Sequence, residues 1–219
     1  MRLSIHHTET LTYATPSMGT IQVLRLTPRD HTGHYVCDWS VDVDADCKIE
    51  SNKDAFGNIV TSFSLNGPLE TLTISAVGEI ETEETHGIVR GAADQVPHGV
   101  FLRPSHAEGD AALVRTAMNA IADVSGPELA QMHALMAQQI AGSEEDALNT
   151  SAATRLRAMM DERNIDNVTE IAEIFCNTAR RLGLPARLVS GYRWLGDDKT
   201  NKQARDIWAE VHVVDRGWV

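Results

Sequence analysis

The segment at residues 167–194, NVTEIAEIFCNTARRLGLPARLVSGYRW, constrains the fold more than any other part of the chain. Val168, Ile171, Ile174, Phe175, Thr178 and Leu182 recur at the three- and four-residue spacing that lines one face of a helix. Asp166 or Asn167 can cap that helix, and Glu170 lies in its first turn, where the helix dipole favours an anion. Gly183 suits the left-handed residue that ends a helix, and Pro185 blocks continuation. ARLVSGYRWL then reads as a strand. After the polar stretch GDDKTNKQA comes a second strand, RDIWAEVHVV, with DRG as a turn before Trp218 and Val219. A helix stopped sharply and followed by two strands predicts an α+β unit.

Upstream the period changes from that of a helix to that of a strand. IQVLRLT alternates, and so does YVCDWSVDV, where Tyr35, Cys37, Trp39, Val41 and Val43 are expected to face inward. DAFGN and the NGP of residues 66–68 carry turn chemistry, and TLTISAVGEIETEE gives another alternating run. Short strands joined by such turns predict an N-terminal antiparallel β-sandwich over residues 1–100. The Gly-, Pro- and His-rich stretch at 87–109 reads as the boundary, with the α+β core at 101–219. Within the core, 110–124 reads as a helix with Leu113, Ala117, Ala120, Ile121 and Val124 on one face. Ser125 and Glu128 form a capping box for the next helix, and a further helix spans 151–163.

Charge excludes some partners. The formal net charge is −12, with no basic stripe to meet phosphates, so nucleic acid and anionic membrane surfaces are not expected. The N-terminus lacks the apolar stretch of a secretory signal, and no run of residues is apolar enough to span a bilayer. Three cysteines, Cys37, Cys47 and Cys176, leave at least one unpaired within the chain. Cys37 is expected to be a buried, inert thiol, and the chain to occupy a reducing, cytoplasmic compartment.

LGLPARLVSGY followed by WAE and GWV, together with MRLSIHHTETLTYATP, QVLRLTPR and DAFGN near the start, closely resembles the bacterial transglutaminase-like cysteine peptidase family. The resemblance runs along essentially the whole chain. It implies a papain-like core in which a Cys at a helix N-terminus attacks an amide carbonyl. A His on one strand moves the proton, and an Asp on the next strand orients the His. The helix terminus and an adjacent imidazolium both favour the thiolate, so the nucleophile belongs in the first turn.

Carried over position by position, the resemblance puts the family's Cys at Val168 and its His at Asp206. Its Asp falls just past Val219, where this chain ends, so the core reads as cut short. Cys176 lies eight residues beyond Val168, about 12 Å along the axis at ~1.5 Å per residue and rotated by roughly 80°. It reads as a packed mid-helix thiol. His212 shares the strand parity of Asp206 but lies six residues on, roughly 20 Å away at ~3.3 Å per residue. Thr169 adjoins the vacant position without a visible base. The expectation is a pseudoenzyme with no catalytic residue, binding a peptide or protein in the old cleft, with Tyr192, Trp194 and Trp208 as candidate cleft-lining residues. The rival is an active cysteine-dependent amide hydrolase, peptidase or acyltransferase built on Cys176.

No cofactor or metal is expected. Asp42, Asp44 and Asp46 have the first spacings of a calcium loop, but Cys47 replaces its glycine and Lys53 its last glutamate. His6 and His7 point to opposite faces of a strand. His31 and His34 can meet in a hairpin loop, without a third ligand in view. His133 reads as a core histidine, and Trp218 as an apolar body in need of a partner for its N–H.

Overall fold

The computed structural model describes residues 1–92, 95–103, 111–122, 168–194 and 203–219. The capping box at 125–128, the helix at 151–163 and His133 lie outside the described residues. The chain divides into two compact units, Met1–Pro97 and His98–Val219.

The first unit is one antiparallel sheet of four strands: β1 (Arg2–Thr27), β2 (His34–Val43), β3 (Glu50–Lys53) and β4 (Ile59–Thr82). β4 pairs with each of the other three, and the path runs β1-β4-β2. The strands are fewer and longer than the turn signals predict. The NGP of residues 66–68 is not a reversal but an irregularity inside β4. Pairing slips from Thr12 opposite Thr71, to Ser17 opposite Leu69, to Gly19 opposite Asn66. β1 is irregular at the same level, so both strands continue through the break. The core cluster draws on both sides of it: Phe63 and Leu65 from one half of β4, Leu72 and Ile74 from the other, with Leu11 and Leu24 of β1 against them. The sheet therefore bends over a shared core, where the sequence predicts two stacked sheets.

β2 corrects the expectation for Cys37. A bulge between Val36 and Asp38 leaves Cys37 outside the ladder. One extra residue reverses the in–out alternation. Tyr35 is 45% exposed and Cys37 is exposed, whereas Val43 beyond the bulge is buried. The acidic residues of the calcium-like stretch are engaged locally: Asp42 accepts the Val43 N–H and Asp44 the Thr73 N–H, both at 2.8 Å.

The second unit opens with a 3-10 turn (His98–Leu102), followed by α1 (Ala111–Ala122) and α2 (Val168–Arg181). An antiparallel sheet β5-β6-β7 follows (Ala186–Trp194, Gln203–Val213, Gly217–Trp218). α2 ends as its sequence predicts. Gly183 takes φ 81°, and Leu184 N–H donates back to Ala179 O at 3.0 Å. Its burial is broader than the predicted stripe. Ala172, Ile174, Phe175, Cys176, Asn177, Thr178 and Ala179 are all buried, while Ile171 and Leu182 are only half-buried. Ala172, Cys176 and Ala179 form a second, small-residue face that apolar periodicity does not single out. Thr178 Oγ1 satisfies itself on Ile174 O at 2.7 Å. Arg180 ties the elements together, donating to Phe101 O at 3.1 Å, Ala186 O at 2.9 Å and Asn177 Oδ1 at 3.2 Å. No helix among the described residues is long and apolar enough to cross a membrane.

Candidate functional site

Val168 is the first residue of α2, the position at which a helix would activate a thiolate. Thr169 follows it, half-buried. The thiol the helix does carry is two turns deeper. Cys176 is 1% exposed and borders a small pocket with Glu173, Asn177, Arg180 and Leu188. Burial, aided by the Glu173 and Glu210 carboxylates and opposed by Arg180, pushes the Cys176 thiol up to about 12. At neutral pH such a thiol keeps its proton, and the thiol rather than the thiolate is a poor nucleophile.

The β5–β6 register assigns the remaining positions. Gly191 pairs with Asp206, Val189 with Trp208 and Arg187 with Glu210. Paired residues share a face, so Asp206, Trp208, Glu210 and His212 lie on one side of β6 with Arg187, Val189 and Gly191 opposite them. Asp206 is half-buried, and its Oδ1 accepts the Ile207 N–H at 3.0 Å. The Trp208 indole lies against Gly191, where an added Cβ would come within 2.6 Å of its ring. Tyr192 and Trp194 have the opposite parity on β5 and therefore face the other side of the sheet from Trp208. Trp194 and Trp208 are 38% and 39% exposed, in contrast to Trp218 at 2%.

Sequence reasoning missed the polar centre of this face. Both Glu210 oxygens are engaged. Oε2 accepts from Arg187 Nε at 2.9 Å and Nη2 at 2.8 Å, and Oε1 accepts from the Trp208 indole N–H at 3.1 Å. The Arg187 guanidinium also stacks 4.0 Å over the Trp218 ring. The glutamate of WAE thus positions the tryptophan two residues before it and a part-buried arginine across the hairpin. The signal was present in the parity of Arg187 and Glu210, but only the register makes them neighbours. His212 lies at the other end of β6 from Asp206, opposite Trp218. Its ring stacks on His98 at 3.6 Å between centroids and meets Trp218 edge-on at 5.3 Å. Among the described residues, no group of three or more His, Cys, Asp or Glu side chains is arranged to hold a metal ion.

The two units correspond to two family profiles. Residues 3–81 match the bacterial transglutaminase-like N-terminal region, and residues 130–219 match the transglutaminase-like superfamily. No curated protein matches the chain in sequence. Among solved structures, a protein from Cytophaga hutchinsonii named as a candidate cysteine protease superposes with a TM-score of 0.69 at 16% identity. That match covers 100% of this chain and 75% of the other. The periplasmic domain of TgpA from Pseudomonas aeruginosa matches with a TM-score of 0.39 at 14% identity, over 99% of this chain and 68% of that one. The two profiles adjoin in family and together take in most of the sequence, and the chain belongs to the transglutaminase-like superfamily, with the N-terminal region of its bacterial members ahead of the core.

Proposed function

We propose that this chain is a pseudoenzyme: a transglutaminase-like scaffold, papain-like in its core, that binds a peptide or protein and does not cleave or transfer an amide. The observation that carries the reading is the state of Cys176. The one thiol on the core helix is buried two turns from the helix N-terminus, and that burial favours its protonated form at neutral pH. The family's nucleophile and base positions hold Val168 and Asp206, a hydrocarbon and an acid. A carboxylate beside a thiol would oppose its ionisation, so Asp206 is no substitute for an imidazole. Exposed Trp208 and Trp194 offer apolar area on the two faces of the hairpin for a bound segment. The acidic balance of the chain favours a peptide or protein over nucleic acid or an anionic membrane. Its three free cysteines fit a reducing, cytoplasmic setting.

The test is to incubate purified protein with a panel of amide and glutamine-donor peptides and with a thiol-directed electrophile. The expected outcome is no turnover, with peptide binding detected through tryptophan fluorescence. Turnover that disappears in C176A would overturn the reading in favour of an active cysteine hydrolase or acyltransferase.

A further inference from the structure

We propose that His31 and His34 form a two-imidazole site for a divalent transition-metal ion, with copper(II) held tightest. The two residues flank Thr32-Gly33, a tight two-residue turn at the end of the connection between β1 and β2. They exchange both backbone hydrogen bonds, His31 N–H to His34 O at 3.0 Å and His34 N–H to His31 O at 2.9 Å. That pairing puts both side chains on one face of the hairpin. Their rings stack with centroids 4.8 Å apart and planes 18° from parallel.

The hydrogen bonds of the rings then fix the chemistry. His31 Nδ1 lies 3.1 Å from Thr32 O, and His34 Nδ1 lies 3.1 Å from Arg29 O. A carbonyl oxygen has no proton to give, so each Nδ1 is the donor and each neutral ring carries its lone pair on Nε2. An imidazole whose other nitrogen donates to a backbone carbonyl is in the tautomer that metal-ligating histidines adopt.

The loop beneath them is braced. Thr32 N–H donates to Arg90 O and Gly33 O accepts Glu83 N–H, both at 2.8 Å. Gly33 takes φ 79°, the left-handed residue that the tight turn between His31 and His34 requires. A metal lies in the plane of each imidazole that holds it, so the two rings must rotate out of their near-parallel stack to share an ion at the ~2.0–2.1 Å bond length of a divalent metal. Asp30 adds no third ligand through Oδ1, which accepts the Val36 N–H at 2.8 Å. Solvent would therefore fill the remaining positions. Two neutral nitrogen donors select borderline ions over calcium and magnesium, and copper(II) heads the divalent series.

The test is copper(II) and zinc(II) titration of the full chain, with pulsed electron paramagnetic resonance on the copper form. The expected spectrum shows two equivalent imidazoles per bound copper, each with a remote protonated nitrogen. H31A and H34A should each lose at least about tenfold in affinity, roughly 1.4 kcal/mol, and show one imidazole. Circular dichroism confirms that the variants fold, and the nitrogen count in the unsubstituted protein needs no variant. Absence of binding at millimolar copper would overturn the proposal. So would binding that is unchanged in both variants, which would put the ion on other histidines of the chain.

Discussion

Arg187 and Glu210 form an ion pair at 2.8 Å with side chains only 12% and 8% exposed. Across an antiparallel hairpin, facing residues of opposite charge are ordinary. Here the pair is out of water, the carboxylate also holds Trp208, and the guanidinium also covers Trp218. A buried pair of this kind contributes little net stability as a pair, but removing one partner leaves the other charge desolvated. E210A is expected to lower the unfolding free energy by about 3–5 kcal/mol, read from urea denaturation followed by tryptophan fluorescence. A loss below about 1 kcal/mol would mean that the pair behaves as a surface contact.

The Cys176 thiol gives a pH signature. Its folded value, about 12, lies above its ordinary 9.0, so above pH 9 the unfolded chain releases a proton that the folded chain retains. Stability contributed this way is fully present below pH 9 and is lost as pH rises toward 12. Lysines and tyrosines titrate in the same range, so the comparison is with C176A. The stability difference between wild type and C176A should move against wild type by ~1.4 kcal/mol per pH unit across that window. A difference that stays flat would show that the thiol is not buried as described. At neutral pH, a thiol reagent should label exposed Cys37 rapidly and Cys176 only after unfolding.

A thiol placed where the helix can activate it should behave in the opposite way. In V168C the new side chain stands on the first residue of α2, at the positive end of the helix dipole. Its pKa should fall below that of a free cysteine. Alkylation in a C37A/C47A background should then be faster at pH 7 than for a free thiol. A rate equal to or below that of free cysteine would count against α2 as a surviving activation frame.

Gly191 is a packing requirement of the same hairpin. A Cβ there would meet Trp208 Cη2 at 2.6 Å and Cζ3 at 3.0 Å. The indole must shift, and its N–H bond to Glu210 is strained or lost with it. G191A is expected to cost about 1–3 kcal/mol and to change the Trp208 contribution to the fluorescence spectrum. An unchanged spectrum and midpoint would show that the ring is free to move at no cost.

The sequence determined what depends on neighbouring residues along the chain. The spacing of apolar residues and the Gly183-Leu184-Pro185 stop gave α2 and its end. Alternation gave β5 and β6, with Val168 opening α2 and Asp206 on β6. These are consequences of the 3.6- and 2-residue periods and of local backbone limits, which act before any long-range contact forms. Tertiary structure decided the rest. A bulge at Cys37 reversed the facing of half of β2. A matching irregularity in β1 turned the expected 66–68 turn into continuous strand. Burial from several elements at once raised the Cys176 thiol. Register joined Arg187 to Glu210, residues more than twenty positions apart in the chain, and set Trp208 and Trp194 on opposite faces of one sheet. Each of these depends on which strand lies beside which and with what offset, and a single residue's slip in that offset changes every facing side chain.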